Sequence, residues 1–340
     1  MSDTRSRPAA AYRALCSAVA FLTPLSLPPY PWPNRATGGT GSTGATGATG
    51  GTGGTGGTGG TGSTGDAPET VNEAETTETA DAEHASPAAV ATGTTEPGPG
   101  AAVFMRPPDA SALAWFPVVG AGIGAGVAVA WLVARRRLGP LGAACIAVLG
   151  DIVATGALHL DGLADSADGL LAHASRKERL AIMAEPDVGA FGVLALTTAI
   201  VAKTAALAEL RPSPALLAAT CCASRSTMAL TCRKLPYARP GGLATGLVAR
   251  DEGRGPGAAV GPDVAAIAGA LTATALAAVA GGGRGVAALW GGIAAGCGVL
   301  ALGRRRLGGF TGDVLGAAGV VTETVALLLA SRDPSARSRP

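Results

Sequence analysis

Three aspartates, Asp161, Asp165 and Asp168, fall within the segment HLDGLADSADG (159–169). Spacings of four and three place their carboxylates on one face of a helix. Continued backwards as one helix, Asp151 comes within about 100° of the same arc. Like charges this close repel, and burial makes each of them costlier. Protonating some carboxylates relieves the repulsion, and so does a cation held between them. An oxygen-only donor set without paired His or Cys suits Mg²⁺, with Mn²⁺ as the alternative. An EF-hand loop is excluded, because its ligands alternate at two-residue steps. A solvated acidic helix end is the competing reading, since HASRKERLAIMAEPD (173–187) is polar.

The stretch before the cluster, LGAACIAVLGDIVATGALHL (141–160), is almost entirely apolar. The aspartates therefore stand at the end of a hydrophobic span. An ion carrier places its carboxylates deep, between apolar flanks. An enzyme acting on a charged, water-soluble substrate places them at an interface.

The elements that must hold these residues read as membrane helices. The chain has 340 residues, 48% of them hydrophobic and 15% charged, and its mean hydropathy is +0.35. Apolar windows at 113–134, 141–160, 190–208, 213–232, 264–280, 285–303 and 314–330 each approach the ~20 residues a bilayer requires. We expect an all-α polytopic bundle of about seven transmembrane helices. Small-residue runs GAGIGAG (120–126), GGIAAG (291–296) and GAAG (316–319) suit close helix packing. Asp151, Lys203, Arg225 and Glu323 lie inside the windows and Asp313 opens the last, which together predict a polar chamber in the bundle. The six cysteines form no CxxC pair and read as small buried hydrophobes. A net charge of +2 implies no nucleic-acid partner.

Outside the windows, residues 1–32 carry a short, proline-rich apolar stretch, too short to span and without a small-x-small cleavage site. We place it at the membrane interface. Residues 33–110, with Gly/Thr repeats followed by an acidic Pro/Thr-rich run, read as a disordered linker. Residues 111–331 form the transmembrane catalytic domain and 332–340 a polar tail. With seven spans, loops 161–189, 233–263 and 304–313 share the side richer in Arg and Lys, which places the aspartates towards the cytoplasm. The same side receives GGFTGDVLGA (308–317), whose glycines permit close backbone approach to a ligand. Lys203, Arg225 and Arg239 are candidates to neutralise phosphate.

TGALHLDGLADSADGL (155–170) resembles the signature of the cobalamin synthase family, the adenosylcobinamide-GDP ribazoletransferases. FLTPLSLP (21–28), FPVVG (116–120), IMAEPDVGAFGVLAL (182–196), the Lys203 segment, SRSTMAL (224–230), PYARPGGL (236–243) and GGFTGDVLGA agree in the same order. The resemblance implies a multi-pass enzyme of the cell membrane, facing the cytoplasm, that joins α-ribazole or its 5′-phosphate to adenosylcobinamide-GDP. GMP would leave. It implies Mg²⁺ on Asp161, Asp165 and Asp168, with Asp165 or Asp168 taking the hydroxyl proton. It also implies substrate contacts from Gly189, Gly192, Lys203, Arg225, Arg239, Thr311, Asp313 and Glu323. The lipid bilayer is the expected surrounding, and a homo-oligomer is compatible. Pro24 stands where the family has Arg, Glu185 where it has Asp, and Val320 where it has Glu. The DGxxDxxDG spacing is also similar to that of the CDP-alcohol phosphotransferases, which leaves such an enzyme on another substrate as an alternative, as it does an ion transporter or a membrane scaffold for corrin assembly.

Overall fold

In a computed structural model the described residues are 6–25, 110–239, 245–248 and 261–332. The expected linker and tail lie almost wholly outside them. The regular elements among the described residues are helices, and an isolated bridge joins Tyr237 to Phe310. In chain order they form α1 (Ser6–Leu22), a 3-10 turn (Ala110–Trp115), α2 (Phe116–Ala154), α3 (Leu158–Leu171), α4 (Arg176–Ile182) and α5 (Ala190–Glu209). Then come α6 (Pro214–Lys234), the single turn α7 (Thr245–Val248), α8 (Pro262–Leu307) and α9 (Gly312–Ala330).

Among the described residues, five helices are long and apolar enough to cross a membrane. Two of them bend back on themselves. In α8, Gly281 and Gly282 leave helical geometry, and a Cβ on Gly285 would lie 2.3 Å from the Ala277 carbonyl oxygen. Eight residues of straight helix would separate those positions by about 12 Å, so α8 is a hairpin. In α2 the break falls at Gly139, before Pro140. Val127 and Ala147 line one small cavity across it, which a straight helix would forbid. Seven apolar segments result, in register with the seven windows read from the sequence.

Helices α6 and α9 occupy the middle: 83% and 72% of their apolar windows are buried, against 22% for α5 and for α8. The peripheral helices expose Val193, Leu194, Val201, Val264, Ile267, Leu271 and Val279, an apolar surface suited to lipid. The small-residue runs are contact points. Gly120 and Gly124 of α2 meet the α6 backbone at Cys221 and Leu217. Gly292 and Gly296 of α8 meet α9 at Thr322 and Ala318. With lipid on both sides, such close packing replaces the hydrophobic drive.

One expectation is corrected. The window 141–160 does not continue as a helix into the aspartates. Helix α2 ends at Ala154, and Gly156 and Ala157 both take φ of 59°. The Thr155 hydroxyl donates to the Asp151 carbonyl at 2.8 Å and ties off the turn. Asp151 therefore belongs to another helix and does not share the α3 arc.

Candidate functional site

Helix α3 carries Asp161, Asp165 and Asp168 and lies against α9. The two backbones touch at glycines. A Cβ on Gly162 would lie 2.8 Å from the Asp313 carbonyl oxygen and 2.9 Å from its Cα, and Gly316 rests on His159. This contact brings Asp313 to the Asp161–Asp165 stretch, as the placement of GGFTGD predicts. Gly162→Ala must push α3 off α9, because a backbone cannot rotate away as a side chain can. We expect the variant to insert normally and lose most of its activity; turnover like that of the unaltered protein would show that the contact does not set the site.

A second contact supplies the cation. The Phe310 N–H donates to the Pro236 carbonyl at 3.0 Å, and the Ala238 N–H donates to the Phe310 carbonyl at 2.8 Å. This bridge joins loop 235–239 to loop 308–311 and sets Arg239 Nη1 3.6 Å from Asp313 Oδ2. That oxygen is buried and accepts no hydrogen bond. Arg179 Nη1 donates to the Gly169 and Leu170 carbonyls at 2.9 and 2.7 Å, and Arg306 Nη1 donates to Leu170 as well. Arg176 sits over Gly308. An acidic face is thus rimmed by arginines, two of which cap the negative end of α3. Burial, then the charges of Asp161 and Asp313, push Asp165 up to about 6, with Arg239 opposing.

The three aspartates do not close into one compact set. Among the described residues, only Asp151, Cys221 and Glu323 bring three ligand-type atoms within 4.8 Å of one another. That group is filled by side-chain cations. Lys203 Nζ lies 2.6 Å from Asp151 Oδ2 and 2.8 Å from Glu323 Oε2, and Arg225 pairs with Glu323. Two cations and two carboxylates balance there, beneath α3, in a cavity also lined by His159, Thr155 and Val320. The expected polar chamber is present. It places Lys203, Arg225 and Glu323 on one another, with Asp151, at a site separate from the aspartate face.

The remaining residues singled out from the sequence have local partners. Thr311 is fully buried, and its hydroxyl caps α9 by accepting the Val314 N–H at 3.2 Å. Gly189 and Gly192 donate their N–H groups to Asp168 at 2.8 and 2.9 Å. The capping of α3 by Arg179 and Arg306 escaped sequence reasoning, which counted Arg179 and Arg306 only as loop charge. The donor set that remains at the α3–α9 contact is Asp161, Asp165 and Asp313. These three also stand wider than 4.8 Å as a set; their all-oxygen chemistry, the raised Asp165 and the unbonded Asp313 oxygen are what suit a hard divalent cation.

Comparison with known proteins gives one consistent answer. A family model described as Cobalamin-5-phosphate synthase matches residues 88–331; the match does not reach segment 21–28. A protein of Chlorobaculum tepidum named adenosylcobinamide-GDP ribazoletransferase is 38% identical over 230 residues, 65% of this chain and 85% of that protein. One of Escherichia coli O157:H7 with the same name is 37% identical over 220 residues, 63% and 84% respectively. No solved structure matches.

Proposed function

This chain belongs to the cobalamin-5-phosphate synthase family, and we propose on that premise that it performs the transfer its relatives are named for, with the α3–α9 contact as its active site. It is a membrane enzyme that joins α-ribazole, free or 5′-phosphorylated, to adenosylcobinamide-GDP and releases GMP, a late step of cobalamin biosynthesis. The observation that carries the site is the meeting of Asp161 and Asp165 with Asp313, beside Arg239, at the end of apolar helices.

The reaction is a displacement at phosphorus. A ribose hydroxyl of the ribazole attacks the phosphate attached to the corrin side chain. The bond to the second phosphate breaks, and GMP leaves with that electron pair. Asp165 stands as proton acceptor for the attacking hydroxyl, in the middle of the acidic face. Arg239 faces the phosphates and offsets their charge. Asp161, Asp165 and Asp313 would hold Mg²⁺, which would supply positive charge against the negative charge that develops on the phosphates as GMP departs. Membranes carrying the protein, given adenosylcobinamide-GDP, ribazole and Mg²⁺, should yield GMP and cobalamin. Undiminished turnover in EDTA would refute the cation assignment, and absence of GMP would refute the activity.

The raised Asp165 gives a pH dependence. The proton acceptor works only when ionised, so the rate should fall as pH drops through about 6. Cation binding favours the carboxylate, so more Mg²⁺ should move the fall to lower pH. Rate profiles at two Mg²⁺ concentrations check both; a profile that stays flat between pH 5 and 7 (roughly the span of the shift) at the lower, limiting Mg²⁺ concentration would remove Asp165 from this role.

We place the site on the cytoplasmic face of the cell membrane, from the excess of Arg and Lys in its loops. Lys177 and Arg305 are exposed. Single cysteines at these positions, in a cysteine-free background, should react with an impermeant thiol reagent in inverted vesicles and be protected in intact cells. Labelling from opposite sides would contradict the shared face.

A further inference from the structure

Asp168 differs from its two neighbours on α3. Its Oδ2 accepts the Gly189 N–H and its Oδ1 the Gly192 N–H. These donors open α5, where the first amides of a helix have no partner within it. The cradle leaves no room for side chains: a Cβ on Gly189 would lie 2.5 Å from Asp168 Oδ1, and one on Gly192 2.4 Å from Oδ2. Helix α5 buries few of its side chains. Its buried residues are Gly192, Lys203, Ala206 and Leu207. The rest of its surface suits lipid, where apolar contact gives little preference for one position. Polar contacts hold it at Asp168, at its start, and through Lys203 further along.

We propose that Asp168 is a clasp that docks the N-terminus of α5 onto α3, and that cation binding falls to Asp161, Asp165 and Asp313 without it. This rests on reading the α3 face as a divalent-cation site. Seven residues of helix separate Asp161 from Asp168 by about 10.5 Å along the axis. Two oxygens on one Mg²⁺ lie at most about 4 Å apart. Asp313 is the third carboxylate that the Gly162 contact brings to Asp161 and Asp165. Both Asp168 oxygens already receive N–H groups at the positive end of a helix, which satisfies its charge without a metal. Asp168 is thus a positioning residue. It acts on the site through α5, whose Lys203 reaches Asp151 and Glu323.

The test uses the full-length protein in nanodiscs, with Mn²⁺ binding followed by electron paramagnetic resonance and amide exchange over 188–195 followed by mass spectrometry. Asp161→Asn and Asp165→Asn should each weaken Mn²⁺ binding by about tenfold or more and leave exchange at the start of α5 unchanged. Asp168→Asn should speed that exchange by about tenfold or more and leave the Mn²⁺ affinity near its original value. Gly192→Ala should do the same while every carboxylate stays in place, so it decides the matter if Asp168→Asn fails to fold. Loss of Mn²⁺ in Asp168→Asn as large as in Asp165→Asn would overturn the proposal and leave the cation site standing. If the unaltered protein binds no Mn²⁺, the cation reading fails, and exchange alone judges the clasp: unchanged rates in both variants overturn it.

Discussion

Asp165→Asn is expected to lower GMP release by about 10²–10⁴-fold without lowering the thermal stability of the protein. The substitution keeps the size of the side chain and removes its ability to accept a proton. It also removes one charge from a face where Asp161, Asp313 and Asp168 all disfavour ionisation. A carboxyl whose folded pKa is raised is a source of strain when ionised, and that strain grows as pH rises through the raised value. A neutral Asn should therefore leave the unfolding midpoint at pH 7 unchanged or higher. Loss of activity together with a lower midpoint would point to a structural role for Asp165. Near-normal turnover would exclude it as proton acceptor.

Glu323→Gln is expected to act in the opposite way, through stability. Glu323 is 3% exposed and holds both Lys203 and Arg225. Without its charge, two buried cations would share Asp151 alone. Breaking a buried pair in this manner costs about 3–5 kcal/mol. Asp151→Asn should cost less, because Lys203 keeps Glu323 and the Asp151 side chain is partly exposed, at 18%. Thermal unfolding in detergent ranks the two variants. Equal losses would mean that the network does not depend on Glu323 as its centre.

Much of this was legible in the sequence because it is written locally. The hydropathy windows mark the apolar segments, even where α2 and α8 double back. The i, i+4, i+7 spacing of the aspartates puts them along α3. The order of segments such as PYARPGGL and GGFTGDVLGA carries the family. What escaped was nonlocal or depended on unusual backbone. Nothing in TGA (155–157) announces that Ala157 takes a positive φ, so the helix seemed continuous and Asp151 seemed to join the cluster. Lys203 and Glu323 are 120 positions apart, and their charges read equally well as ligands for phosphate. Thr311 and the α5 glycines look like substrate contacts in a motif; that the first also caps a helix and the others also hold Asp168 is visible only in the packing.

The pairing of Arg225 with Glu323 also bears on biogenesis. The arginine emerges from the ribosome 98 residues before its carboxylate, whereas Lys203 finds Asp151 already made, 52 residues earlier. Helix α6 has the lowest hydropathy of the five candidate spans, 1.2, and an arginine at a helix centre disfavours insertion by about 2.5–3.5 kcal/mol. Helix α5 can therefore settle as it is synthesised. Helix α6 must wait near the translocon, or lodge incompletely, until α9 arrives. A nascent chain stalled before residue 312 should leave α6 open to glycosylation tagging or protease, and release of α9 should close it. The centre of the bundle is completed from its last helix backwards.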